Sequence, residues 1–150
     1  MATFECSTIL CPNFGWVILI IVVTFILNFA QMITIGRART KDKVPLPLMY
    51  QEGADTFNCA QRAHQNTLEL VPFFLAMLVV GGLRYPEYAA GFGGAWILGR
   101  IIYSIGYIGG GPKWRVPGFI ITMLGGMVPL MGVAIASAGY MLEWWDQPEV

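Results

Sequence analysis

The sequence carries no charged residue from position 14 to position 35. A helix of that length, at 1.5 Å per residue, spans about 30 Å, the thickness of a bilayer's hydrocarbon core. Three further apolar stretches lie at 58–83, 88–108 and 117–142, and turn sequences rich in glycine or proline separate the last three. We therefore predict an all-α membrane protein, a four-transmembrane-helix bundle.

The composition supports this class and excludes others. Hydrophobic residues make up 56% of the chain and charged residues 12%, whereas soluble domains carry about a quarter charged residues. Nine Lys and Arg balance nine Asp and Glu, so no basic surplus is available to neutralise nucleic acid. We expect a single membrane domain over residues 1–150, with the lipid bilayer as a partner and no nucleic acid.

The positions of the cations predict the orientation. Six of them lie in the connections after the first and third predicted spans: Arg37, Arg39, Lys41, Lys43, Lys113 and Arg115. Cytoplasmic loops of membrane proteins carry an excess of Lys and Arg. Both termini are therefore expected on the outer or lumenal side.

Three charged residues, Arg62, Glu69 and Arg100, lie inside otherwise apolar predicted helices. At a helix centre each costs about 2.5 to 3.5 kcal/mol, so a compensating interaction is expected. Neighbouring polar residues recur at helical spacing, which places them on one face of each helix. The two faces comprise Arg62, Asn66 and Glu69 on the second helix and Arg100, Tyr103 and Tyr107 on the third.

Two explanations of these charges remain open from the residues alone. In the first, Arg62 and Glu69 neutralise each other, Arg100 caps a carbonyl, and the network joins helices. In the second, the excess of donors over one acid binds an anion. Glutathione fits such a site, because arginines grip its carboxylates, a glutamate takes its ammonium and a guanidinium near its sulfur favours the thiolate.

Two sequence blocks resemble a known family. Residues 57–69 read FNCAQRAHQNTLE and are followed by Pro72, and residues 99–107 read GRIIYSIGY. Both blocks, within a resemblance covering residues 37–111, are similar to the MAPEG family, the membrane-associated proteins in eicosanoid and glutathione metabolism. The resemblance implies a homotrimer in the endoplasmic reticulum, with glutathione in clefts between neighbouring subunits that open to the cytosol.

The same resemblance implies roles for individual residues. The family's glutathione-binding positions correspond to Arg39, Arg62, His64, Asn66, Glu69, Arg100, Tyr103 and Tyr107. Arg115 is the nearest match to the arginine that activates the thiol, although the loop at 109–117 aligns only with a shift. Leu70 stands where some members have a tyrosine that contacts glutathione, which weakens an assignment of leukotriene-C synthase-type activity.

The implied function is a membrane glutathione transferase or glutathione-dependent peroxidase that acts on lipophilic electrophiles and lipid hydroperoxides, with glutathione as co-substrate. No metal is expected, since His64 is the sole histidine. The alternatives are a non-catalytic lipid-binding scaffold, resembling the family's lipoxygenase-activating member, and a small-solute channel. Cys59 is expected to pack, and Cys6 and Cys11 either pair with each other or are inert thiols.

Overall fold

The computed structural model describes the backbone of residues 13–145 and the side chains of residues 13–142. Cys6 and Cys11 lie outside the described residues. The first three helices are α1 (Gly15–Lys41), α2 (Asp55–Arg84) and α3 (Pro86–Gly110). A 3₁₀ turn (Pro112–Arg115), α4 (Val116–Ile120), a π-helical segment (Ile121–Met127) and α5 (Val128–Trp145) then follow one another. These last four elements are called the fourth rod.

Three of the helical regions are long and apolar enough to cross a membrane: Gly15–Lys41, Asp55–Arg84 and Pro112–Leu142. The remaining one, α3, has 25 residues and contains several glycines and Arg100, which lower its hydropathy. The four predicted apolar stretches therefore correspond to four helical regions. Three of these qualify as membrane spans by length and composition.

The helices extend beyond the predicted spans at several ends. α1 continues past its apolar part to Lys41, so Arg37 and Arg39 lie on a helix and not in a loop. α2 runs through Pro72 without ending. In the fourth rod the N–H of Val128 donates to the carbonyl of Met123, five residues earlier, just before Pro129. A wide turn of this kind accommodates the proline, which has no N–H for the regular helical ladder.

α2 and α3 form the centre of the bundle. They pack against each other, and each packs against both α1 and the fourth rod. The indole of Trp96 on α3 stacks on the ring of Phe74 on α2, with centroids 3.9 Å apart, and both side chains are fully buried. Burial of such large apolar side chains fixes how the two central helices meet.

Glycines bring α3 and the fourth rod into backbone contact. A Cβ atom added at Gly126 would lie 2.7 Å from the Cα of Trp96 and 2.8 Å from its backbone nitrogen. A Cβ at Gly118 would collide with the backbone of Tyr103, and one at Gly106 with the carbonyl of Trp114. Close approach at these points carries the start of the fourth rod, including Arg115, onto α3.

Gly126→Ala is expected to destabilise the protein, because the added methyl group meets backbone atoms of α3 that cannot move alone. Overpacking of this kind costs about 1–3 kcal/mol. Thermal unfolding in detergent measures it. Gly132→Ala is the matched control on α5, since nothing lies within 4 Å of its Cβ position. Equal unfolding temperatures for the two variants would contradict the close contact.

Candidate functional site

A cleft of about 320 Å³ lies between α2, α3 and the start of the fourth rod. Its lining residues are Arg62, Asn66, Tyr103, Arg115, Val116 and Phe119. Two guanidinium groups, one carboxamide and one phenol ring share this wall with two apolar side chains. The cleft therefore combines positive charge and directional hydrogen-bonding groups with an apolar rim.

Arg115 sits at the end of the 3₁₀ turn and is half-buried. Its Nη1 donates to the hydroxyl of Tyr107 at 3.3 Å, and its guanidinium carbon lies 5.2 Å from the centre of that ring. Within residues 13–142, no carboxylate lies within salt-bridge distance of Arg115. The Arg115 guanidinium therefore lines the cleft with the neutral Tyr107 hydroxyl as its hydrogen-bond partner.

The predicted polar face of α2 is present in the structure. Arg62 Nη1 lies 3.4 Å from Glu69 Oε1, and Asn66 Nδ2 lies 3.4 Å from Glu69 Oε2. The Arg62 and Glu69 side chains are 43% and 49% exposed. Long contacts between half-exposed groups contribute little to stability, so these side chains can exchange their mutual contacts for a ligand.

Arg100 lies behind this wall and does not line the cleft. Its side chain is fully buried, and its donors reach acceptors on α2. Nε and Nη2 donate to Thr67 Oγ1 at 3.1 and 2.6 Å, Nη1 donates to Asn66 Oδ1 at 3.1 Å, and Nη2 donates to the carbonyl of Ala63 at 3.4 Å. The geometry of Arg100 therefore agrees with the first of the two explanations, in which the buried charge is satisfied by partners within the protein.

Tyr103 and Tyr107 share a face of α3, as their spacing predicts. Their rings meet edge to face with centroids 5.7 Å apart, and the guanidinium of Arg100 lies 4.4 Å over the Tyr103 ring. Tyr107 also lines a neighbouring cleft of about 480 Å³, of which Arg62 and Cys59 form part of the wall. Arg62 lines both clefts, so they adjoin along one face of α2.

Arg39 and His64, both predicted as glutathione ligands, do not line either cleft. The guanidinium carbon of Arg39 lies 4.5 Å from the centre of the Phe57 ring, and its Nη1 donates to the carbonyl of Pro45 at 3.3 Å. His64 Nδ1 lies 3.1 Å from Oε1 of Gln31 on α1. Of the eight predicted binding residues, five lie on or beside the clefts, while Arg100 is behind them and these two face elsewhere.

Three residues that were not predicted as site residues, Gln31, Thr67 and Ser104, belong to the buried hydrogen-bond network around Arg100. Thr67 directly follows Asn66 inside the first sequence block, and Gln31 is a polar residue within the apolar part of α1. A polar side chain in a stretch without charges was the available signal for Gln31.

Among the described residues, no group of three His, Cys, Asp or Glu side chains is placed to hold a metal ion.

The fold and the cleft define a helical membrane protein with a cationic site between its helices. A sequence profile of the MAPEG family matches residues 17–136. The chain therefore belongs to the MAPEG family, and the resemblance found in the two sequence blocks is confirmed.

The relatives agree with this family. The chain is 35% identical over 122 residues to an uncharacterized protein of Synechocystis. The aligned region covers 81% of this chain and 87% of the relative. The chain is 32% and 30% identical over 114 residues to microsomal glutathione S-transferase 2 of Mus musculus and of Homo sapiens, covering 75% of this chain and 76% of each relative. Within the family the two sequence blocks resemble microsomal glutathione S-transferase 3 most, whereas these mammalian relatives are microsomal glutathione S-transferase 2, so the comparisons establish the family and not a subtype.

Glu69→Gln is expected to change the free energy of unfolding by less than about 1 kcal/mol, because the ion pair with Arg62 is long and half exposed. Arg100→Gln is expected to cost about 1–3 kcal/mol, because it leaves buried acceptors on α2 without a donor. Chemical unfolding in detergent measures both. A larger loss of unfolding free energy for Glu69→Gln than for Arg100→Gln would contradict the assignment of Glu69 to the cleft and of Arg100 to the buried network.

Proposed function

We propose that the protein is an integral membrane glutathione transferase and glutathione-dependent peroxidase. Its substrates are lipophilic electrophiles and lipid hydroperoxides, and glutathione is the co-substrate. The observation that carries this proposal is the cleft in which Arg62 and Arg115 lie beside Asn66 and Tyr103. Membership of a family with microsomal glutathione S-transferases among its members supports the choice of ligand.

The cleft residues divide into holding and activating groups. Arg62 grips a carboxylate of glutathione, Glu69 takes its ammonium, and Asn66, Tyr103 and Tyr107 supply directional hydrogen bonds. Arg115, which has no carboxylate partner among the described residues, stabilises the sulfur anion. A free thiol is mostly protonated at neutral pH, so a guanidinium beside it raises the fraction of the reactive thiolate.

The thiolate supports both reactions without a further cofactor. In conjugation, sulfur forms a bond to the electrophilic carbon, and the leaving or ring-opened oxygen takes a proton. In peroxide reduction, sulfur attacks the terminal oxygen and releases an alcohol, and a second glutathione then yields the disulfide and water. Holding both reactants in one site removes much of the entropic barrier. Val116 and Phe119, exposed at the rim, give the lipophilic partner an apolar entry.

We extend the proposal to a homotrimer because of the positions of Arg39 and His64. Both lie away from the clefts of their own chain. If they contact glutathione, as the family resemblance implies, they do so in the cleft of a neighbouring subunit. We place the protein in the endoplasmic reticulum membrane with four spans, the termini in the lumen and the clefts toward the cytosol, in accord with the cation-rich connections.

Two other functions make different predictions. A lipid-binding scaffold would bind fatty acids or their derivatives without turning them over. A small-solute channel would carry flux across vesicles in the absence of glutathione. The cleft favours glutathione, because this ligand offers a carboxylate to Arg62, an ammonium to Glu69 and a sulfur anion to Arg115, whereas a fatty acid offers a single carboxylate and leaves Glu69 without a partner in the ligand.

The test of the proposal uses the purified protein in detergent or lipid. Glutathione binding is measured first, and a lipid hydroperoxide and a model electrophile are then added. Binding followed by formation of the alcohol or the conjugate supports the enzyme. Binding of lipid with neither glutathione binding nor turnover would replace it with the scaffold.

Arg115→Ala is expected to raise the Kd for glutathione about tenfold, because the bound thiolate loses the cation that stabilises it, and to lower kcat by about a hundredfold, the usual cost of removing one group that stabilises the reacting anion. The ultraviolet absorbance of the bound thiolate is expected to disappear with it. Lys113→Ala, on the same 3₁₀ turn and outside both clefts, is the control and keeps wild-type values. An unchanged thiolate signal in Arg115→Ala would remove the role assigned to Arg115.

A further inference from the structure

The fully buried hydroxyl of Thr67 is the centre of a hydrogen-bond network. Nε and Nη2 of Arg100 both donate to its oxygen, at 3.1 and 2.6 Å, and Gln31 Nε2 donates to it at 3.1 Å. The hydroxyl's own hydrogen goes to the carbonyl of Ala63 at 3.0 Å. One side chain on α2 thus receives donors from both α1 and α3.

The network reaches the cleft through Asn66. Arg100 has only donors, so the Asn66 atom that it contacts must be the carbonyl oxygen, as the 3.1 Å distance from Nη1 indicates. The amide nitrogen of Asn66 then points away from Arg100, toward Glu69. The buried guanidinium therefore determines which end of the carboxamide faces a ligand.

On its other side the network is closed by Gln31. Its amide nitrogen donates to Thr67 and also to Ser104 Oγ at 2.7 Å, and Ser104 in turn donates to the carbonyl of Arg100 at 2.9 Å. Its amide oxygen lies 3.1 Å from His64 Nδ1. Every polar atom of the Gln31 side chain is used, so Thr67 has little freedom to turn away from Arg100.

We propose that Thr67 is a positioning residue of the glutathione cleft: its hydroxyl holds the Arg100 guanidinium, which turns the carboxamide of Asn66 toward the ligand. Thr67 and Arg100 touch no substrate and act through Asn66. This inference rests on the proposed function, because it assigns Asn66 as a ligand of glutathione. Arg100 then supports the cleft from behind and does not itself contact glutathione.

The central test is Thr67→Val, which keeps the shape of the side chain and removes the hydroxyl. Its Kd for glutathione is expected to rise about tenfold, the scale of one lost hydrogen bond to a charged group, while kcat at saturating glutathione changes much less. Thr67→Ser restores the hydroxyl and is expected to restore the affinity. Thr24→Val is the matched control, since the buried Thr24 hydroxyl donates to the carbonyl of Ile20 within α1 and is outside the network.

A double variant separates positioning from general loosening of the fold. If Thr67 acts through Asn66, Thr67→Val is expected to weaken glutathione binding no further once Asn66→Ala is present. Additive losses in the double variant would overturn the proposal. So would wild-type affinity in Thr67→Val, or an equal loss in Thr24→Val.

Arg100→Lys provides a second route if Thr67→Val does not fold. Lysine keeps the charge, but its single ammonium cannot hold Thr67 and Asn66 with the planar fork of arginine. The affinity for glutathione is expected to fall about tenfold, and again not to add to the loss in Asn66→Ala. Retention of full affinity by Arg100→Lys would contradict the role of the guanidinium.

A measurement without glutathione distinguishes failure of this inference from failure of the proposed function. In protein labelled with nitrogen isotope at arginine, the Nε–H signal of Arg100 is expected to be protected from solvent exchange in the wild type and in Thr24→Val. The protection is expected to be lost in Thr67→Val. If this pattern holds and the wild type binds no glutathione, the proposed function fails and the Thr67 to Arg100 link stands. If the protection persists in Thr67→Val, the inference is wrong.

Discussion

The burial of the Arg100 guanidinium is the constraint on which the site depends. A charge inside an apolar helix is stable only with hydrogen-bond partners nearby, and among the described residues α2 supplies those of the Arg100 guanidinium. This requirement sets the rotation of α2 against α3. Because Thr67 fixes the buried face of α2, Asn66 lies at the edge of that face and Arg62 lies beyond it, and both line the cleft.

A second constraint is the close packing of α3 against the fourth rod, which involves no charged group. Glycines at the contact between α3 and the fourth rod let the two backbones meet, and Gly118 lies against the backbone of Tyr103. Small residues at helix interfaces are a general means of close packing in membranes. Here the close contact also carries Arg115 to the Tyr107 hydroxyl, so this cation of the cleft is placed by packing, with no ion pair among the described residues.

Helical periodicity and hydropathy predicted the four helical regions and the two polar faces, because both follow from local spacing. The same rules could not show that Arg100 is enclosed by α2, since its partners are distant in the chain and include the backbone of Ala63. Nor could they show that Arg39 and His64 turn away from the cleft. The π-helical segment before Pro129 also escaped prediction, because regular periodicity assumes a regular helix.

The central claim, that the cleft holds glutathione as a thiolate, is tested most directly by proton release on binding. A free thiol is almost fully protonated at neutral pH, so binding as the thiolate releases about one proton per site. Calorimetric titration in two buffers of different ionisation enthalpy measures that number, with S-methylglutathione as the comparison ligand. The account predicts release with glutathione and none with the methylated analogue. Equal release by both, or no binding of either, would contradict it.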